Sequence, residues 1–374
     1  MGLNEFDSSK FNVSDSVSDP DAILLRSFDL HSYDIPDSVQ LIVRAGAGTN
    51  NIPHDLMTKR GIPVLNTPGA NANAVKELVV TGMLLACRNI CAAWDYVNHL
   101  NENDDIHSLV EKQKKQYAGF ELPNKTLGII GLGNIGVKVA NAALALDMKV
   151  VGYDPGMTVQ NAWELSASVK KAESVSEVLQ QADFVSVHVP LIDATRHLIN
   201  AKTIKQMRKG AILLNFARNG IVDNKALLDA IQSQHISRYV CDFPEKEFLG
   251  IPEIICLPHL GASTREAEEN CAVMAAHQIM KFLTVGEIKH SINFPNVKLA
   301  ANEGNRIAVI NANVPNMVAQ ISSVLSDASC NIIDMINKSR DDIAYTMIDI
   351  DGEVGENLIS ELTAIEGVIR AKII

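Results

Sequence analysis

The sequence predicts an α/β protein: two doubly wound parallel-sheet domains followed by a small ferredoxin-like βαββαβ unit. Three observations carry that expectation. Short apolar runs alternate with helical stretches from residue 21 to about residue 260, as expected of parallel strands buried on both faces. A glycine turn, GLGNIG, lies between one such run and a helix. Beyond residue 303 the order becomes strand, helix, strand, strand, helix, strand.

The first stretch supplies AILLRSFDL, QLIVRAGAGTNNI and GIPVLNTPG, short β-rich runs separated by turns. From Ala74 to about Asn98 the chain reads as one long buried helix, and NENDDIHSLVEKQKKQ as a polar surface helix or linker. At Leu122 a strand, the glycine turn, a helix and a second strand begin a new unit, followed by strands at DFVSVHVPL, AILLNFAR, RYVCDF and EIICLPH. A helix from about Thr264 to Thr284 is long enough to return the chain to the first domain. The expected division is therefore 1–97 with 265–300, then 98–264, then 303–374.

Composition narrows the function. A chain of 374 residues exceeds one ordinary core. The net charge of -11 argues against general nucleic-acid binding, which needs a basic face. No apolar run reaches the roughly 18 residues of a membrane helix. The N-terminal stretch MGLNEFDSSKFNVSD lacks the pattern of a secretion signal, and the six scattered cysteines read as buried free thiols. A cytoplasmic protein with a small-molecule substrate is expected, with no nucleic acid, membrane or metal partner.

Chemistry concentrates at strand ends. In GLGNIG (Gly131, Leu132, Gly133, Asn134, Ile135, Gly136), the first glycine permits a tight turn and the second admits a pyrophosphate. The third brings helix onto strand. Asp154 ends the next strand, where a carboxylate accepts both ribose hydroxyls and repels a 2′-phosphate. NAD is favoured over NADP. Arg218, the acidic group Asp242, Glu245 and Glu247, and His259 each follow a later strand. A guanidinium grips a carboxylate in bidentate fashion. An imidazole accepts a hydroxyl proton, and a carboxylate orients that imidazole.

Together these residues resemble the D-2-hydroxyacid dehydrogenase family over most of residues 20–300, through NTPGANANAVKELV, FARNGIVD, PHLGASTREAEENC and SINFP. The resemblance implies that Arg218 holds the substrate carboxylate and His259 is the general acid/base. It places the family's glutamate on Glu247, with Glu245 as the alternative. It further implies cofactor contacts at His188, Pro190, Thr195, Phe216, Ala217, Asp242, Gly261 and Ala262, in addition to the glycine turn. Substrate contacts fall on Arg26, Ser27, Gly46, Ala47, Gly48 and Asn71, with Arg44 adding positive field. The implied substrate is 3-phosphoglycerate. Rival expectations are a glyoxylate or hydroxypyruvate reductase and an NAD-sensing binding protein without turnover. The C-terminal unit resembles an ACT domain, which implies L-serine as effector at Asn311, Asn313 and Asn331, and a homodimer or homotetramer. Asn316 stands where such loops have glycine, so the turn there requires an asparagine at positive φ.

Overall fold

A computed structural model describes residues 2–102, 105–300, 304–352 and 354–374. The chain forms two compact units, one of Met1–Ala70 with Glu268–Ile374, the other of Asn71–Ala267.

The first unit begins with three parallel strands, β1 (Ala22–Leu25), β2 (Leu41–Arg44) and β3 (Val64–Asn66), in that spatial order. A short helix, α1 (His54–Lys59), precedes β3. Leu25, Ile42, Val64 and Met57 are buried together, which is why these short runs hold as strands.

The second unit opens with α2 (Ala72–Arg88) and α3 (Ile90–Asn98). The single long buried helix expected here is instead a pair bent by 70°. Asn89, at φ 51, ends one helix and starts the other. A short polar side chain tolerates that left-handed conformation where the β-branched Ile90 beside it does not. The consequence is that α2 keeps a buried face and α3 has none. Next come α4 (Ile106–Gln113), β4 (Thr126–Ile130), α5 (Asn134–Ala145), β5 (Lys149–Tyr153), α6 (Val159–Glu164), β6 (Lys170–Lys171) and α7 (Val175–Gln181). The remainder is β7 (Phe184–Val187), α8 (Ala201–Ile204), β8 (Ala211–Asn215), α9 (Asn224–Gln232), β9 (Ile236–Cys241) and β10 (Ile254–Cys256). The seven strands are all parallel, in the order β10-β9-β8-β7-β4-β5-β6. The order reverses between β4 and β7, and crevices at such reversals accept ligands at the strands' carboxyl ends. Residues of β7 and β8 are buried throughout, with core clusters on both faces of the sheet. Continuous rather than alternating apolar runs are the sequence trace of that two-sided burial.

Helix α10 (Arg265–Val285) leads back to the first unit. There β11 (Asn305–Ala312), α11 (Met317–Asp327), β12 (Asn331–Arg340), β13 (Ile343–Asp351), α12 (Glu356–Ala364) and β14 (Val368–Ile373) build an antiparallel sheet in the order β12-β13-β11-β14. This is the expected βαββαβ arrangement. It does not stand as a third compact unit, and the division falls at 70/71 and 267/268, not at 97/98 and 264/265. The reason lies in packing. One face of β11 and β13 is covered by α11 and α12, while Ala308, Ile310, Tyr345 and Met347 on the other join Leu41, Val43, Ile279 and Phe282 in one core. Polar anchors reinforce it. Arg370 donates to the Val39 carbonyl (2.9 Å), Lys372 to Gln40 Oε1 (2.8 Å), and Tyr345 Oη to the Gly286 carbonyl (3.0 Å). Burial holds the Lys372 ammonium down at a pKa of about 8, with its Nζ 4.1 Å from the centre of the Phe282 ring. The buried Arg306 guanidinium is bidentate on Asp349 at 2.6 and 2.7 Å and also donates to the Val285 carbonyl. Removing one partner of such a pair costs about 3–5 kcal/mol, because the other charge is left buried alone.

Candidate active site

The chemistry-bearing residues of the second unit line one edge of the large sheet. Gly131 follows β4 with φ 97, and its N–H donates to the Tyr153 carbonyl at 2.9 Å. A Cβ at Gly131 would lie 2.8 Å from the His188 carbonyl carbon, and one at Gly136 would lie 2.0 Å from the Gly131 oxygen. Only glycine fits either position. At Gly133 a Cβ would meet nothing within 4 Å, so the backbone there borders open space at the start of α5. Asp154 locks the turn, its Oδ2 accepting from Leu132 N and its Oδ1 from Gly156 N, both at 2.8 Å. Beside it a cavity of about 360 Å³ is lined by Gly152, Asp154, Pro155, Met157 and Leu165. Its apolar walls, with Asp154 beside the glycine turn and Lys171 and Glu173 also in the lining, suit an adenosine.

His188 follows β7. Its Nε2 lies 2.9 Å from Ser186 Oγ, while Nδ1 is shielded from solvent without a partner. Burial depresses its pKa to about 4, so the ring is neutral. An orphaned nitrogen beside the glycine turn is what a cofactor contact leaves open. Pro190 and Thr195 share the next loop. The Thr195 hydroxyl accepts from Ile192 N at 2.9 Å and donates to the Pro190 carbonyl, so its side chain shapes this loop. The glycine cradle, the carboxylate, the adjoining cavity and the orphaned nitrogen together fit NAD.

β8 ends in Asn215, which is buried. Its Nδ2 donates to the Arg218 carbonyl (3.0 Å), and its Oδ1 accepts from Ala217 N (3.2 Å). Phe216 and Ala217 are buried, whereas Arg218 is exposed with one guanidinium nitrogen 2.6 Å from the Ala217 carbonyl. Asn215 thus braces the backbone that carries Arg218, a contact the sequence reading passed over. Its signal was an amide closing the otherwise apolar run AILLN.

Asp242, 1% exposed, follows β9. Its carboxylate accepts from Leu260 N and Gly261 N, both at 2.7 Å. Burial raises its pKa and the two N–H donors oppose that rise. His259, after β10, has φ 57, and its own N–H reaches the Asp242 carbonyl at 3.1 Å. A non-glycine residue in this region costs about 1–2 kcal/mol. Asp242 therefore holds the histidine loop by its backbone. The imidazole is exposed, edge-on to Phe243 with ring centres 5.1 Å apart. A Cβ at Gly261 would lie 3.1 Å from Asp242 Oδ2, so small residues at Gly261 and Ala262 keep the loop on the carboxylate.

The two candidate glutamates separate. Glu245 accepts from Asn219 Nδ2, next to Arg218, whereas Glu247, exposed in the turn Lys246–Phe248, accepts from Asn224 Nδ2 at 2.9 Å. Glu247, the expected partner of His259, is thus bonded at the start of α9. Among the described residues neither carboxylate hydrogen-bonds the imidazole.

In the first unit Arg26 and Ser27 follow β1, both exposed, and Arg26 pairs with Glu268 at 2.9 Å. Arg44 Nε donates to the Arg26 carbonyl at 3.0 Å. The Gly46–Gly48 turn is tied to β3 by Thr67 N to Gly46 O (3.1 Å) and Asn66 Nδ2 to Ala47 O (2.6 Å). Asn71 is the N-cap of α2, its carbonyl accepting from Val75 N at 3.2 Å.

Asn311 is buried, with Nδ2 on the Ala312 carbonyl and Oδ1 unpartnered, and Asn313 donates to the Asp341 carbonyl at 2.9 Å. Asn316 adopts φ 72, as the loop requires. Asn331 does not join them. Asn311 pairs with Ala344 and Asn331 with Asp351. Those partners are seven residues apart on β13, about 23 Å at the usual rise. Within one chain the three asparagines do not share a small ligand. Among the described residues no group of three His, Cys, Asp or Glu is placed to hold a metal ion.

Comparison with known proteins agrees with this geometry. Residues 80–261 match the family model of the D-isomer specific 2-hydroxyacid dehydrogenase NAD binding domain. The chain is 31% identical over 378 residues to D-3-phosphoglycerate dehydrogenase of Escherichia coli K12, covering 97% of this chain and 88% of that protein. It is 36% identical over 282 residues to hydroxypyruvate reductase of Thermotoga maritima, covering 72% and 87%. A crystal structure of NAD+-bound 3-phosphoglycerate dehydrogenase from Entamoeba histolytica superposes with a TM-score of 0.56 at 29% identity, covering 73% of this chain and 82% of that one.

Proposed function

We propose that this chain, which belongs to the D-isomer specific 2-hydroxyacid dehydrogenases, oxidises D-3-phosphoglycerate to 3-phosphohydroxypyruvate with NAD, the first step of L-serine biosynthesis. The observation that carries the chemistry is the sequence of strand ends on one sheet edge. His188, Arg218, Asp242 and His259 follow β7, β8, β9 and β10, which are spatial neighbours in that order.

NAD, when bound, accepts the hydride from the hydroxyl-bearing carbon. Gly131, Gly133 and Gly136 admit its pyrophosphate and Asp154 its ribose. The His259 imidazole takes the hydroxyl proton and Arg218 grips the carboxylate. Asp242 positions the loop that carries His259. Glu247 is the candidate for orienting the imidazole, with Glu245, bonded to Asn219 beside Arg218, as the alternative. Arg26, Ser27 and the Gly46–Gly48 turn are assigned to the phosphate and carboxylate of the substrate, with Asn71 as a further contact.

Regulation and assembly follow the same resemblance. L-serine as effector is supported by the buried, unpartnered Asn311 Oδ1 close to Asn313. A homo-oligomer is supported by the exposed face of α3, where Ile90, Trp94 and Val97 recur at helical spacing. Six free thiols support a reducing compartment.

The hydroxypyruvate reductase relative keeps a second reading in play, and one assay decides between them. NADH formation from 3-phosphoglycerate is compared with NADH consumption on glyoxylate, in the wild type and in Arg26→Ala. The expected result is robust turnover of 3-phosphoglycerate that falls at least about tenfold in the variant, as for loss of a charge-assisted bond, while glyoxylate reduction changes little. Equal effects on both substrates would favour the reductase. No turnover of either would sink the assignment.

A further inference from the structure

We propose that the first unit holds a second small-molecule site, between α10 and the segment after it, for a small carboxylate that also carries a hydroxyl or ammonium donor. The site is a cavity of about 250 Å³, and its lining includes Met274, Gln278 and Lys281 on one face of α10, with Glu287, Lys289 and His290 opposite.

Four features point to an occupant. First, Gln278 is 7% exposed, and its Nε2 lies between two carbonyls, Asn66 O at 3.0 Å and Lys289 O at 3.3 Å. Two acceptors require the amide nitrogen there, so the buried Oε1 is the atom left without a donor. A buried carbonyl oxygen in that state is costly and rare. Second, Glu287, a residue 9% exposed, lines the same cavity, and its carboxylate makes no ion pair or side-chain hydrogen bond with a described residue. Third, Lys281 and Lys289 also make no ion pair with a described residue, although the chain as a whole is acidic. Fourth, His290 has φ 60, and backbone strain of this kind collects at ligand sites.

Two ammonium groups without an ion pair among the described residues call for an anion, and the buried Gln278 Oε1 with the Glu287 carboxylate calls for a donor on the same molecule. A hydroxy acid or an amino acid satisfies both, and a plain carboxylate satisfies only the first. The Met274 side chain gives its carbon skeleton an apolar wall. The site is connected as well. Gln278 Nε2 bonds the Asn66 carbonyl and Asn66 Nδ2 bonds the Ala47 carbonyl, so Gln278 is joined to the Gly46–Gly48 turn through Asn66.

The test is calorimetric titration of the full-length protein with D-glycerate, glycine and acetate. Three forms are compared: wild type, Lys281→Met with Lys289→Met, and Arg218→Ala with His259→Ala. The last removes the proposed reaction site, so failure of the reaction assignment leaves this result interpretable. Glycerate or glycine should bind the wild type and the Arg218/His259 variant alike, with acetate about tenfold weaker for want of a donor. The double methionine variant should bind at least about 30-fold more weakly with an unchanged thermal midpoint, since both lysines are exposed. Any of four results overturns the proposal: no binding to the wild type, binding indifferent to the lysines, binding lost with Arg218 and His259, or acetate binding equally well.

Discussion

Replacing Asp242 by asparagine isolates what holds His259 in place. The carboxylate accepts Leu260 N and Gly261 N at 2.7 Å each, and hydrogen bonds to a charged group contribute about 1.5–3 kcal/mol apiece. Asparagine is nearly isosteric but offers one oxygen. One N–H keeps a neutral partner worth about 0.5–1.5 kcal/mol, and the other faces an amide that also donates. The gross loss is about 3–4 kcal/mol. One term offsets it: the buried carboxylate, whose pKa burial already raises, no longer has to be desolvated, which returns about 1–2 kcal/mol. A net of about 2 kcal/mol remains, which shifts the balance between held and released loop about 30-fold toward release.

The expected outcome is therefore a fall of about 30-fold in kcat. The KM for NAD should change little, because the glycine turn and Asp154 are untouched. Steady-state kinetics with each substrate saturating in turn measures the split, and thermal denaturation monitors the fold. A variant with kcat within about threefold of wild type would refute the latch. So would one whose entire defect lies in NAD affinity, which would make Asp242 a cofactor ligand instead.

Two further outcomes follow from the same edge of the sheet. Gly133→Ala should leave the unfolding midpoint unchanged, since its Cβ meets nothing within 4 Å, yet weaken NAD about tenfold or more in a binding titration; Gly136→Ala, whose Cβ would fall 2.0 Å from Gly131 O, should lower the midpoint itself. His188 should make the protein acid-sensitive. Its folded pKa of about 4 lies below the ordinary 6.5, so the unfolded chain takes up a proton first as pH falls. Its stabilisation is complete above pH 6.5 and shrinks by up to about 2.5 kcal/mol by pH 4.5. Urea unfolding at pH 7 and 4.5 should show His188→Asn losing less over that interval than wild type, and equal losses would remove His188 as the cause.

The parts legible in the sequence are those where local chemistry and topology coincide. A parallel sheet sends every strand's carboxyl end to one edge, so Gly131, Asp154, Arg218, Asp242 and His259 could be gathered from their positions after apolar runs. Where geometry depends on register or on a single backbone angle, the sequence alone does not decide. Asn89 breaks an apolar helical run through one left-handed residue. Asn331 follows Asn313 closely in sequence order, but the length of β13 carries its pairing to the far end of the sheet. Glu245 and Glu247 lie two residues apart in a loop with no period, so only the observed bonds to Asn219 and Asn224 separate them. The merging of the βαββαβ unit into the first unit depends on which face of β13 finds a second partner. Its run IAYTMIDI is apolar enough for two-sided burial but does not name what lies opposite.

The proposed role of Arg26 as the phosphate contact is compatible with its existing ion pair. Its guanidinium is already paired with Glu268, which at first sight removes it from the substrate. The two side chains are 42% and 53% exposed, however, and exposed pairs of this kind contribute only about 0–1 kcal/mol. A phosphate offers the same fork geometry with more negative charge. Exchanging Glu268 for phosphate therefore costs less than the new contact returns. A substrate without phosphate has nothing to offer in exchange and leaves the pair intact. On this argument the ion pair filters for phosphorylated hydroxy acids, and the net charge of -11 elsewhere on the chain does not oppose it, because screening confines such fields to about 8–10 Å at ordinary ionic strength.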